Sequence, residues 1–146
     1  MNVLGVNYSP LAINPSASLV VDGKIVASIA EERLTRLKGS HGLFPAKSIA
    51  ECLRIGGLKL SEVDRIAFGW DSNLYPGEMF LFYLKKKLES GFFNSDWTHD
   101  SPNSIISNNL KAIETLLAWS PKKIRTEIRD GLRLAGFKDE IPKISF

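Results

Sequence analysis

Apolar and polar positions alternate in short bursts at the start of the chain, and then the period lengthens. Residues 3–6, "VLGV", are a brief apolar run rich in β-branched side chains, as in a buried strand. Residues 17–21 form a second run. Asp22-Gly23 is a strong hairpin-turn signal, and residues 25–30 follow as a third strand. These three predict an antiparallel meander. Beyond Pro45, the residues Ile49, Cys52, Leu53 and Ile55 fit one face of a helix closed by Gly56-Gly57. Residues 61–64 are a polar lead-in to "RIAFGW" at 65–70, a fourth strand apolar enough for burial on both faces. A helix between two buried strands implies a right-handed crossover and parallel pairing.

Residues 75–88 have helical spacing, with Met79, Phe80, Tyr83 and Leu84 on one side, and residues 91–103 read as loop. Leu110, Ile113, Leu116 and Leu117 predict a helix over about 104–119. Ser120-Pro121 is an N-cap followed by proline at the first helical position. The helix it opens runs to about residue 135, with Ile124, Ile128 and Leu132 inward and Gly136 closing it; "KISF" at 143–146 is a fifth strand. The order β-β-β-α-β-α-α-α-β is an α/β architecture. A three-stranded antiparallel meander followed by α/β crossovers resembles a ribonuclease H-like lobe of the actin-like ATPase superfamily. Such a fold alone says little about chemistry.

A length of 146 residues suits one domain with a real core. The net charge is +3 and the basic residues are scattered, so no nucleic-acid partner is expected. A single cysteine, Cys52, excludes an internal disulfide and fits the cytoplasm. The N-terminus enters a strand-like run without a basic or long apolar leader. The most apolar run, residues 79–84, falls far short of the roughly 18 residues of a spanning helix, and Lys85-Lys86-Lys87 follow it. A cytoplasmic protein without a membrane partner is expected.

Four pieces in one order narrow the choice. They are "VLGVN" at 3–7, "PSASLVVDGKIVASIAEERLTRLK" at 15–38, "FPAKSIAECL" at 44–53 and "VDRIAFGW" at 63–70. Together they resemble the N-terminal region of the carbamoyltransferase family that includes nodulation and antibiotic O-carbamoyltransferases. The likeness is dense over residues 1–71 and thin beyond. It implies that residues 1–146 are the N-terminal lobe of a Kae1-like domain, a fragment without the remaining lobe and the YrdC-like domain that complete the enzyme. Family members use ATP and carbamoyl phosphate to make carbamoyl adenylate, then carbamoylate a hydroxyl of a small-molecule acceptor. The resemblance also implies a divalent metal, iron or magnesium, near the nucleotide, held by a His-x-x-His motif. This chain carries only His41 and His99, so no metal ligands are assigned and no cofactor is expected to bind it tightly. The other reading is a degenerate or truncated lobe that serves as an interaction module.

By the resemblance, Asn14 and Lys38 are catalytic positions, and Ser16, Glu32 and Arg36 bind substrate or nucleotide. Relatives usually have histidine at position 14. Asparagine can hold a carbonyl or phosphate oxygen but cannot act as acid or base near neutral pH; an Asn-Pro pair is also an ordinary turn former. Lys38 would place a compact cation beside developing negative charge. Without the resemblance, residues 31–38 read as a solvated strand exit; Arg36 and Glu32 alternatively pair and fix the loop. Ser16 and Ser18 share one face, opposite Ala17 and Leu19, and suit either an anion or close packing. His41 reads as a loop residue. Asp71, after Trp70, is either a ligand position or a helix cap. Lys122, Lys123, Arg125, Arg129 and Arg133 form a basic face, solvated or packed on an acidic surface. An isolated lobe would leave apolar surface uncovered, so a homodimer is expected.

Overall fold

A computed structural model describes residues 1–8, 14–40, 42–69 and 120–146. Five strands form one mixed sheet: β1 (Asn2–Asn7), β2 (Ser16–Val21), β3 (Lys24–Ala30), β4 (Arg65–Phe68) and β5 (Lys143–Ser145), in the order β3-β2-β1-β4-β5. β1 pairs antiparallel with β2, and β2 with β3; β4 pairs parallel with both β1 and β5. Asp22 (φ 48°) and Gly23 (φ 78°) turn the chain between β2 and β3. Two positive φ values match the twist of a two-residue hairpin, and glycine takes the second at no steric cost.

Alternation gives the sheet two unlike faces. Leu4, Val6, Ala17, Leu19, Ile66, Phe68 and Ile144 are buried on one. Across the other, the register sets Ser28, Ser18, Gly5, Ala67 and Ser145 side by side. β4 is therefore buried on one face only, contrary to the reading of its apolar run: Ala67 is half-buried and Arg65 exposed. Trp70, placed in this strand by the sequence, lies outside the described residues.

Helix α1 (Glu31–Thr35) follows β3 directly, and helix α2 (Ala46–Gly56) packs on the apolar face of the sheet. The Cys52 thiol of α2 reaches Ala17 O at 3.4 Å, and burial raises its pKa. An added Cβ at Gly56 would come 2.3 Å from Leu19 Cδ2, so the helix end needs glycine to sit this close. Gly57, at φ 64°, ends α2 with its N–H directed to the carbonyls of Arg54 and Leu53. The expected polar lead-in to β4 holds a 3₁₀ turn, Leu60–Glu62, with Leu60 buried.

Helix α3 (Pro121–Leu134) begins as its sequence signals, with Ser120 Oγ accepting the Lys123 N–H at 3.3 Å. Ile124, Ile128 and Leu132 are wholly buried along one stripe. Gly131 lies against the Phe44 ring, and the Arg125 guanidinium sits 4.5 Å over the Phe146 ring. The chain divides into two compact units, Met1–Trp70 with Arg125–Phe146, and Asp71–Ile124. The helices expected at 75–88 and 104–119, and the loop at 91–103, lie outside the described residues. Among the described residues, no helix is long and apolar enough to cross a membrane.

Candidate functional site

The charged run after β3 does not leave as a solvated strand. Its first five residues are α1, and Glu31 is only 2% exposed. Glu31 Oε2 accepts from the Ser48 N–H at 2.7 Å and the Ser48 hydroxyl at 2.6 Å; Oε1 accepts from the Lys47 N–H at 3.1 Å. These amides open α2, whose N-cap position, Pro45, offers no side-chain cap. A carboxylate there satisfies orphan donors and faces the positive end of the helix dipole.

Glu32 points elsewhere. Its Oε2 accepts from the Gly39 N–H at 2.8 Å, and its Oε1 lies 3.7 Å from Arg33 Nε. The Glu32–Arg36 side-chain pair allowed by the sequence is not formed: Arg36 is an exposed left-handed cap at φ 63°, tied to Glu32 through its backbone N–H. Lys38 begins a 3₁₀ turn, Lys38–Ser40, and is exposed. Ser40 Oγ lies 2.7 Å from Thr35 Oγ1, which holds this turn to the end of α1.

Asn14 meets the same turn. It is exposed at φ 65°, a conformation that asparagine tolerates better than most residues. Its N–H donates to Gly39 O at 2.8 Å, and its carbonyl accepts from Asn7 Nδ2 at 3.3 Å. Pro15 O accepts the Glu31 N–H at 2.8 Å. Thus Asn14, Ser16, Glu32 and Lys38 are gathered at one junction, with Arg36 on its solvent side. Residues 9–13 of the loop, His41, and the Trp70-Asp71 pair lie outside the described residues.

A cleft of about 220 Å³ adjoins the junction, lined by Gly5, Asn7, Ser16, Ser18, Ser28 and Gly69, among others. A Cβ at Gly5 would come within 2.5 Å of Ser18 Oγ, so the small residue lets the hydroxyl sit over β1. The cleft is smaller than the roughly 300–1,000 Å³ of typical small-molecule pockets. Tyr8, just after β1, packs edge-on to Phe44, with ring centroids 5.5 Å apart. Burial, then the Glu127 charge, pushes the Tyr8 phenol pKa up. Among the described residues no group of three or more His, Cys, Asp or Glu could hold a metal ion, so no step is assigned to one.

Asn7, Glu31 and Gly39 are given no role by the sequence, although Glu31 belongs to the charged run and Asn7 to the first strand. Glu31 had a signal: Pro45 before α2 has no side-chain acceptor for the first amides of the helix, so an acceptor from elsewhere has to supply it. Gly5, inside a strand, signalled close approach. Asn7 and Gly39 had none.

No protein-family model matches the chain. It is 47% identical over 53 residues to the nodulation protein NolNO of Sinorhizobium fredii, covering 36% of this chain and 8% of that protein. It is 46% identical over 55 residues to an uncharacterised 19.2 kDa protein of Rhizobium etli, covering 38% of this chain and 32% of that one. Among solved structures, YeaZ from Pseudomonas aeruginosa superposes with a TM-score of 0.34 at 19% identity, over 56% of this chain and 39% of that one. A TM-score of that size supports no fold assignment. The chain thus spans only a minor part of the curated relatives it matches, through a segment somewhat over a third of its own length.

Proposed function

We propose that this chain is the N-terminal, ribonuclease H-like lobe of an O-carbamoyltransferase, forming one wall of a site for ATP-dependent transfer of a carbamoyl group from carbamoyl phosphate to a small-molecule hydroxyl. One observation carries this reading: the Asn14 N–H donates to Gly39 O at 2.8 Å, which brings Asn14 and the neighbour of Gly39, Lys38, together next to Asn7 and Ser16, two residues that line a small cleft. The likeness to a nodulation protein and the sheet order β3-β2-β1-β4-β5 support it.

In this reading the Lys38 ammonium offsets phosphate charge, and the Asn14 amide donates to a carbonyl or phosphate oxygen. Ser16 adds a hydroxyl donor, and the Arg36 guanidinium approaches from solvent. Asn14 cannot accept the proton that the acceptor hydroxyl loses, so that proton leaves through a group outside this wall. The remaining lobe and the YrdC-like domain supply the rest of the enzyme.

Titrating the ¹⁵N-labelled chain with carbamoyl phosphate tests the reading. We expect saturable shifts at the amides of Asn14, Ser16 and Gly39, with Kd on the order of millimolar because a small anion on one wall makes few contacts. Lys38→Ala should weaken binding ~10-fold or more, as for loss of a charged hydrogen bond. Shifts elsewhere, or none, would overturn the assignment and leave the interaction module.

A further inference from the structure

We propose that Glu32 is a positioning residue and not a substrate contact: acting through Gly39, its carboxylate holds Asn14 and Lys38 in fixed relation. This rests on the reading of Asn14 and Lys38 as site residues.

Gly39 is gripped at both ends. Its N–H donates to Glu32 Oε2 at 2.8 Å, and its carbonyl accepts the Asn14 N–H at 2.8 Å. The residue is buried and sits at φ 74°, where a side chain would be strained. Turning either backbone torsion of Gly39 breaks one of the two bonds. Lys38 is the preceding residue, so its Cα cannot move relative to Asn14 while both bonds stand. Asn14 is steadied from its other side by Asn7 Nδ2.

The charge of Glu32 fits this role better than ligand contact. A carboxylate beside a phosphate repels it, whereas a carboxylate on a backbone amide makes a strong, charge-assisted bond. Its side chain is 23% exposed, and its second oxygen faces Arg33. The turn itself has other ties: Ser40 Oγ meets Thr35 Oγ1 at 2.7 Å, and the Ser40 N–H reaches Leu37 O at 3.0 Å. Removing the Glu32 carboxylate therefore cuts the Gly39 bond and spares the turn.

Amide hydrogen exchange, read residue by residue by NMR on the whole chain, tests this. In E32A, protection at Gly39 and Asn14 should fall together by about tenfold or more, while the Lys47 and Ser48 amides held by Glu31 keep theirs. The carbamoyl phosphate shifts at Asn14 should weaken with them. E32Q keeps an acceptor oxygen and should restore both protection and shifts. Loss confined to Gly39, or no recovery in E32Q, would overturn the proposal. Should E32A not fold, E32D carries the test, because a carboxylate one methylene shorter falls short of the Gly39 N–H and the Asn14–Gly39 bond should loosen with it; unchanged protection at Gly39 and Asn14 there refutes it. Exchange is read without ligand. A wild-type chain that ignores carbamoyl phosphate would sink the proposed function and leave this coupling to be judged separately.

Discussion

Glu31 and Glu32 are adjacent and chemically identical, yet they do different things. Glu31 is buried against the first turn of α2, with three donors on its two oxygens. Ser48 is wholly buried, so loss of the carboxylate leaves its hydroxyl and amide without an acceptor. Hydrogen bonds to charged groups contribute ~1.5–3 kcal/mol each and are not additive, so Glu31→Ala should cost about 2–4 kcal/mol. Urea denaturation measures it; a cost below ~0.5 kcal/mol, typical of a surface change, would refute the capping role. The neighbouring carboxylate has one strong acceptor role and partial solvent exposure. Its removal should register mainly in local exchange.

At the level of elements, α3 is fixed by what it leaves out. The Gly131 backbone lies so close to Phe44 that a Cβ would stand 2.6 Å from the ring's Cδ2. Alanine is ordinarily favoured over glycine in a helix by about 1 kcal/mol. Here the ring is rigid and already set edge-on to Tyr8, so it cannot give way cheaply. Overpacking of this kind costs roughly 1–3 kcal/mol. Gly131→Ala should therefore lower the thermal midpoint, and a rise would show that Phe44 moves freely. The same element shows how sequence signals succeed. Ser120-Pro121 and the stripe Ile124, Ile128, Leu132 are local features, and the helix starts and buries itself accordingly. The charged run at 31–38 failed as a signal because a polar sequence does not reveal which partner it will find.

For the molecule as a whole, the exposed edge of the sheet at β3 matters most. β3 is an edge strand among the described residues, and Ile25 on it is 75% exposed. Ile25 pairs with Val20, which pairs with Val3, giving an apolar row on the face opposite α2. Exposed apolar edges favour association. Light scattering on concentrated protein should report a mass above the monomer, and Ile25→Lys should bring it down. A monomer at every concentration would contradict this. The pairing of strands across the whole chain is also what builds the cleft: Ser28, Ser18, Gly5 and Ala67 come from four strands.

The sequence by itself determined the strands, the Asp22-Gly23 turn, and the start and buried stripe of α3. These depend on neighbours a few residues away, through backbone conformation and the spacing of apolar side chains. It also singled out Asn14 and Lys38, by their place in motifs. Tertiary structure alone decided that Asn14 bonds the glycine next to Lys38, that Glu31 turns inward to cap α2, and that Glu32 grips Gly39. The Glu32–Gly39 bond closes a turn within seven residues, whereas the Asn14–Gly39 and Glu31–Ser48 bonds join segments distant along the chain. No local pattern encodes such a bond, because its geometry exists only once the strands have set the two segments side by side.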